Sequence, residues 1–264
     1  VHTIKDNTLV FNTLHGGEGE NGQIQSFLSQ HSIVYTGSGP MASMLAMNKH
    51  FTKIIATENN IKTPDWLTFR FDNHNIPNVL SYKSNKKIKF PVVIKPNFQG
   101  STLGLSIVEN KNDIDEGVRL ASIYSDEILI EEFINGRELT VGIIGNKALD
   151  IVEISPKSGF YDYKSKYTMG ETEYTSPANI DDSLSDFIKK QAVKIYKAIG
   201  CRHYGRVDFL LDKESNLYLL EVNTLPGLCS TSLLPMSAKS KGINFQELLD
   251  LIIKISIIDN DIVL

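Results

Sequence analysis

The chain has 264 residues, 41% of them hydrophobic and 22% charged, and a net charge of −4, which is ordinary for a globular chain of one large domain or two to three small ones. The acidic balance, with an isoelectric point near 5.9, argues against a nucleic-acid partner held by counterion release. Cys201 and Cys229 lie outside any CxxC, which argues against a disulfide or zinc framework, and the most apolar segment, 248–258, is interrupted by Asp250 and Lys254 and is too short to span a membrane.

In chain order, 8–14 predicts a buried strand broken by His15, Gly16 and Gly17. A loop then feeds a helix with Ile24, Phe27 and Leu28 on one face. Residues 32–35 predict a short strand, 36–40 a turn, and 41–59 a single helix that carries Lys49 and Lys53. A strand is expected at 66–71, polar irregular chain at 73–85, a strand at 90–95 and its return at 105–108. A helix at 112–124 leads to strands at 127–133, 139–144 and 148–154. Residues 159–178 read as a long polar loop, and 182–199 as an amphipathic helix stopped by Gly200. A hairpin, a loop to Pro235 and a closing helix at 245–257 complete the chain. An opening βαβ-like piece followed by hairpins and helices predicts an α/β unit plus α+β units.

The chemistry gathers around that hairpin, 206–227. Two apolar runs flank the polar segment LDKESN, as in paired strands. Residues two apart on a strand share a face, so Glu221 and Asn223 point one way, and pairing can bring Asp208 beside them. Two carboxylates and an amide oxygen suit Mg²⁺ bridging phosphates. Arg206, two before Asp208, can meet a phosphoryl group on the same face. In FPVVIKPNFQGSTLG a strand delivers Lys95 to a turn of small residues whose N–H groups can close on phosphate, although no Walker A pattern is present. EILIEEF ends a strand where backbone groups can meet an adenine edge and a carboxylate can accept ribose hydroxyls. GFYDYKSKY places Lys166 and Tyr167 in a loop longer than a connector requires. His15 sits on a glycine-flanked turn at a strand end, where sites of α/β sheets gather.

Taken together these stretches resemble the ATP-grasp superfamily, and within it the D-alanine–D-alanine ligase family. The similarity runs through LHGGEGENGQIQ, YTGSGPMASMLAMNK, VVIKPNFQGSTLG, LIEEFINGRELTVGI, FYDYKSKYT, GRVDFLLD, LLEVNTLPG and STSLLPMSA, in the family's order. The resemblance implies an ATP-grasp fold of three lobes: a truncated N-terminal α/β lobe (1–37), a central lobe (38–132) and a C-terminal lobe (133–264) with metal site and lid loop. It implies that Lys49 and Lys95 bind phosphate, and that Ser101 belongs to the loop closing over the phosphates. Glu131, Glu132, Phe133 and Ile134 then match the adenine segment, Glu138 the ribose carboxylate, and Lys166 and Tyr167 the lid. Asp208, Glu221 and Asn223 match the ligands of two Mg²⁺ ions, with Mn²⁺ as a substitute. Arg206 and the Gly227 amide match the groups that stabilise a tetrahedral intermediate, Ser232 and Leu233 lie near the second substrate's carboxylate, and His15 stands at the substrate.

The implied activity is ATP-dependent joining of two D-alanines through an acyl phosphate, in the cytoplasm, by a homodimer, for peptidoglycan precursors. The alternatives are ligation of D-alanine to D-lactate or D-serine, and a non-catalytic ATP-binding remnant. Two departures stand out. The family's opening βα unit, with a Ser and a Glu in its glycine-rich turn, is not found before Val1, so roughly 30 or more further residues are expected ahead of it. Gln99 stands where many relatives carry Glu, which removes a charge from the loop.

Overall fold

The computed structural model describes residues 8–70, 89–157, 168 and 170–259. Apolar runs produce its largest sheet, in which β7 (Gly136–Ile144), β8 (Lys147–Pro156), β9 (Thr172–Thr175), β10 (Tyr204–Asp212) and β11 (Leu217–Asn223) run antiparallel in the order β11-β10-β7-β8-β9. Leu139, Val141, Val207, Phe209, Leu217 and Leu219 turn to one face and are buried. Helix α5 (Asp182–Ile199) covers that face with Ile188, Ala192, Ile195 and Ile199, a stripe at helical spacing. Its ends are those expected from the sequence. The Asp181 carboxylate accepts the Leu184 N–H at 2.9 Å, and Gly200 closes the helix in the left-handed region at φ 84°.

A second antiparallel sheet has the order β3-β6-β4-β5, built from β3 (Trp66–Arg70), β4 (Val92–Pro96), β5 (Ser106–Val108) and β6 (Glu127–Glu132). Ile94, Val108, Val118 and Ile128 join it to α4 (Ile114–Ser122). At the N-terminal end β1 (Leu9–Val10) pairs in parallel with β2 (Val34–Tyr35), beside α1 (Gln23–Gln30).

Several sequence expectations change here, each for a local reason. The ladder expected over 8–14 stops at Val10, because the Asn12 side chain accepts the Leu14 N–H and donates to the Gly19 carbonyl, diverting the backbone into a turn. On α1 it is Gln25 that is buried with Leu28, while Phe27 is exposed. The single helix expected over 41–59 is two, α2 (Pro40–Met47) and α3 (Lys49–Glu58). Asn48 between them has extended backbone and caps α3, its Oδ1 accepting the Phe51 N–H at 3.0 Å. Ala42, Ala46 and Ala56 of these helices enter the core of the five-stranded sheet. The loop expected up to Pro235 contains α6 (Leu233–Ser240). Pro235 is its third residue, where a backbone N–H has no intrahelical acceptor to lose. Strand β9 emerges within 159–178, and the irregular 73–85 lies outside the described residues.

The closing helix α7 (Phe245–Ile258) begins with a reciprocal cap between Asn244 and Glu247 and ends on His203. Ser256 Oγ and the Gly37 N–H both lie 3.0 Å from His203 Nδ1, and Asp259 Oδ2 lies 3.2 Å from Nε2. This ring therefore ties the turn after β2 to the last helix. With Nδ1 accepting the Gly37 N–H the imidazole is neutral. Burial, reinforced by the Arg202 cation and opposed by Asp259, pushes its pKa down from 6.5 to about 4. A folded value below the unfolded one means that the stabilisation is whole above pH 6.5 and is lost as pH falls toward 4. The full effect is ~3 kcal/mol. A His203→Asn variant accommodates the φ of 63° at this position. Its thermal midpoint should therefore fall less than the parent's across that window, by roughly 5 °C or more. Parallel melting curves would remove this role from His203.

Candidate active site

The two sheets face each other across a cleft of about 330 Å³. The four-stranded sheet contributes Val93, Lys95, Glu131 and Glu132, the chain leaving it contributes Phe133 and Ile134, and the five-stranded sheet contributes Glu138, Ile154, Arg206, Asp208, Leu210 and Glu221. Lys49 and Gln99 close one side. An adjoining recess of about 30 Å³ shares Lys49 and Glu221 and is completed by Glu20, Gly100, Asn223 and Thr224.

Register places the polar groups of the hairpin. Asp208 pairs with Glu221 and Arg206 with Asn223, so all four project from the same face of β10 and β11. A β-bulge between Asp208 and Phe209 leaves Leu220 as an extra residue on β11. Its effect is decisive. Regular alternation from the buried Leu217 and Leu219 would send Glu221 into the core, and the bulge instead turns Glu221 to the cleft and Val222 to the core. Arg206 grips Asp208 with two bonds, Nε to Oδ1 at 2.9 Å and a terminal nitrogen to Oδ2 at 2.8 Å. Thr140 on β7, opposite Asp208, donates its hydroxyl to Oδ1 as well. Asn223 Oδ1 accepts the Leu225 N–H at 2.9 Å.

The cations across the cleft are also compensated. Lys95 Nζ lies 2.8 Å from Glu131 Oε2, and Lys53 Nζ lies 3.2 Å from Oε1. Burial opposes ionisation of Glu131, but the two ammonium groups outweigh it and hold the carboxyl below its ordinary range. Lys49 donates to the Gln99 carbonyl and stands 3.7 Å from Glu221 Oε2. Its position is fixed by the break at Asn48. Asn48 Oδ1 accepts from Asn97 Nδ2 at 3.0 Å, and Asn97 Oδ1 accepts the His50 N–H at 2.9 Å. This buried amide clasp fastens the first turn of α3 to the turn after β4, which brings Lys49 and Lys95 to one end of the cleft.

The remaining sequence candidates are distributed as follows. Leu233 lines the cleft, and Thr102 and Leu103 line it in the turn where Ser101 stands at φ 54°. Gly227 adjoins Ser232 so closely that a Cβ there would sit 2.7 Å from Ser232 Oγ. His15 lies away from the cleft lining, half exposed, with Nδ1 3.1 Å from the Leu225 carbonyl and 3.5 Å from Glu20 Oε1. Lys166 and Tyr167 lie outside the described residues. Sequence reasoning missed Thr140, Asn97 and the role of Asn48. Only the last had a local signal, since Asn directly before Lys49 is a capping residue within a helical run.

Two antiparallel sheets closing on a nucleotide-sized cleft, with Lys95 and Glu131 on one, Arg206, Asp208 and Glu221 on the other and Lys49 brought in on a helix, define the ATP-grasp class. The family model described as D-ala D-ala ligase C-terminus matches residues 55–254. The chain is 41% identical over 251 residues to a D-alanine–D-alanine ligase of Carboxydothermus hydrogenoformans, covering 94% of this chain and 80% of that protein. It is 42% identical over 244 residues to one from Aquifex aeolicus, covering 92% and 81%. Among solved structures, the D-alanine–D-alanine ligase from Bacillus anthracis complexed with ATP superposes with a TM-score of 0.82 at 32% identity, over 96% of this chain and 80% of that one. VanG D-Ala:D-Ser ligase from Enterococcus faecalis gives 0.81 at 33% identity, over 94% and 72%. The chain belongs to the D-alanine–D-alanine ligase family.

The clasp can be tested by itself. An Asn97→Ala change removes one of the two bonds that Asn48 Oδ1 accepts and the side-chain acceptor of the His50 N–H, at a cost of about 1–3 kcal/mol. Chemical denaturation should show that loss, and a change under about 0.5 kcal/mol would mean that the clasp does not hold α3 to β4.

Proposed function

We propose that this chain is an ADP-forming ligase that joins two D-alanines, with ATP activating the first as an acyl phosphate. The observation that carries the reading is the convergence of Lys49, Lys95, Arg206, Asp208 and Glu221 on one cleft between two sheets. In this reading Lys49 and Lys95 hold the nucleotide's phosphates, Glu131–Ile134 embrace the adenine, and Glu138 accepts the ribose hydroxyls. The turn carrying Ser101 folds over the phosphates, and Lys166 and Tyr167 form the lid. His15, beside Leu225, helps to seat the first substrate, and Gly227, Ser232 and Leu233 border the second.

Asp208, Glu221 and Asn223 offer oxygen donors only, two carboxylates in register and an amide, which suits a hard cation. These residues would hold two Mg²⁺ or Mn²⁺ ions, which when bound neutralise phosphate charge. Arg206 now occupies both oxygens of Asp208. Turned from Asp208, the guanidinium can stabilise charge developing on the transferred phosphoryl group and then on the tetrahedral centre. The first D-alanine's carboxylate attacks the γ-phosphorus and ADP leaves. The amine of the second D-alanine then attacks the acyl carbon, and phosphate leaves. The lid excludes water that would hydrolyse the acyl phosphate. We place the activity in the cytoplasm and in a homodimer. No described helix is long and apolar enough to cross a membrane, and α1 and α2 expose Phe27, Met41 and Met44 as a candidate contact surface.

Replacing Glu221 by Gln should lower turnover more than tenfold, a rise in barrier above ~1.4 kcal/mol, with the unfolding transition preserved. Turnover within tenfold of the parent would count against its role as a shared ligand. The second substrate is tested with the full-length protein, ATP and D-alanine, alone or with D-lactate or D-serine. The expected product is D-alanyl-D-alanine, forming faster as pH rises and frees the attacking amine, with little ester at any pH. Predominant D-alanyl-D-lactate or D-alanyl-D-serine would replace the assignment with one of those ligases. ATP binding without any ligation would favour a remnant.

A further inference from the structure

Lys53 is an unusual residue to find fully buried, since an ammonium group enters a protein interior only with compensation. It lies one helical turn after Lys49 on α3, yet it does not reach the cleft lining. Its Nζ donates to Thr63 Oγ1 at 2.7 Å and to the Pro64 carbonyl at 3.2 Å, and it stands 5.5 Å from the centre of the Trp66 ring. Among the described residues its ionic partner is Glu131 Oε1, while the other oxygen of the same carboxylate holds Lys95. Glu131 opposes Val93 in the β4–β6 ladder, and Lys95 is two residues further along the same face, so carboxylate and ammonium meet within one sheet and both border the cleft.

The charge count follows from these contacts. Among the described residues one carboxylate lies between two ammonium groups, so this trio carries a net charge of +1 at the wall of the cleft. Without Lys53, Glu131 and Lys95 would form a neutral pair, and a phosphate approaching Lys95 would meet a cation already cancelled by its own neighbour. We propose that Lys53 is a positioning residue that sets the charge Lys95 presents to the nucleotide, by taking half of the Glu131 carboxylate. Its own distance from the cleft is what permits this role, since no ligand atom needs to displace it.

The inference rests on the nucleotide reading of the cleft, and the test separates the two. Calorimetry with ATP and with adenosine distinguishes attraction for phosphate from contacts to the base. In Lys53→Met, ATP affinity should fall about tenfold while adenosine affinity holds. In the double variant Lys53→Met/Glu131→Gln the net +1 is restored on Lys95. The ratio of ATP to adenosine affinity should therefore return to within about threefold of the parent. A role confined to packing against Thr63 and Pro64 predicts no such recovery, because the second change adds no contact for them. An unchanged ratio in Lys53→Met, or a double variant as weak for ATP as the single one, overturns the proposal. If Lys53→Met does not fold, the double variant decides: a ratio near the parent's supports the proposal and a tenfold fall defeats it. Failure of the parent itself to bind ATP would instead sink the ligase reading.

Discussion

Charges gathered between two sheets must compensate one another, and much of this molecule's arrangement follows from that requirement. A carboxylate or ammonium withdrawn from water costs several kcal/mol unless it is paired and hydrogen-bonded. Arg206 and Asp208 satisfy each other, Lys53 and Lys95 share Glu131, and Lys49 divides itself between the Gln99 carbonyl and Glu221. Each partnership is internal to the site, so the groups proposed to meet ATP and metal are already ordered. Ligand binding then becomes an exchange of partners, in which Asp208 and Glu221 leave cations of the protein for cations of the ligand. The cost of desolvating the charges has been met during folding, and binding adds mainly the difference between old and new partners.

The secondary structure that was legible in the sequence is that with local punctuation. Helix α5 begins and ends where Asp181 and Gly200 dictate, and the β10–β11 hairpin follows from two apolar runs around a polar turn. Legibility failed where a residue has two meanings. Asn48 inside an apolar run looks tolerable within a helix, but with Asn97 across from it the cap wins, and α2 separates from α3. Pro235 reads as a breaker, yet at the third position of α6 it is harmless. The ladder of β1 is short because Asn12 supplies a competing turn. Candidate site residues on one hairpin could be grouped by period two. Thr140 and Lys53 could not, because their partners Asp208 and Glu131 are brought to them by strand pairing and helix packing between segments far apart in the chain.

The same distinction separates the two ends of the cleft. Lys95 and Glu131 belong to neighbouring strands of one sheet, so their meeting needs only local register. Lys49 must be carried in on a helix that packs against the other sheet. The Asn48–Asn97 clasp joins the helix to the turn after β4, using three polar atoms of two neutral side chains where an ion pair would have added another charge to the site. It also leaves the leading N–H groups of α3 already bonded, that of Lys49 to the Asn97 carbonyl, that of His50 to the Asn97 side chain and that of Phe51 to the Asn48 side chain, so at this end of the cleft the helix presents the Lys49 ammonium rather than free backbone donors.

The extra residue in β11 has a consequence for how the sheet assembles. A strand with perfect alternation can slide along its neighbour by two residues and still present an apolar face to the core. Here the pattern changes phase at Leu220: Leu217 and Leu219 belong to one pleat, Val222 to the next. Any pairing that irons out the bulge drives the Glu221 carboxylate into hydrocarbon, and any slide that spares Glu221 drags a leucine into water. The acidic side chain thus serves as a key that fits the hairpin in one register only. The competing registers are penalised during strand pairing by the same charge that equips the finished cleft.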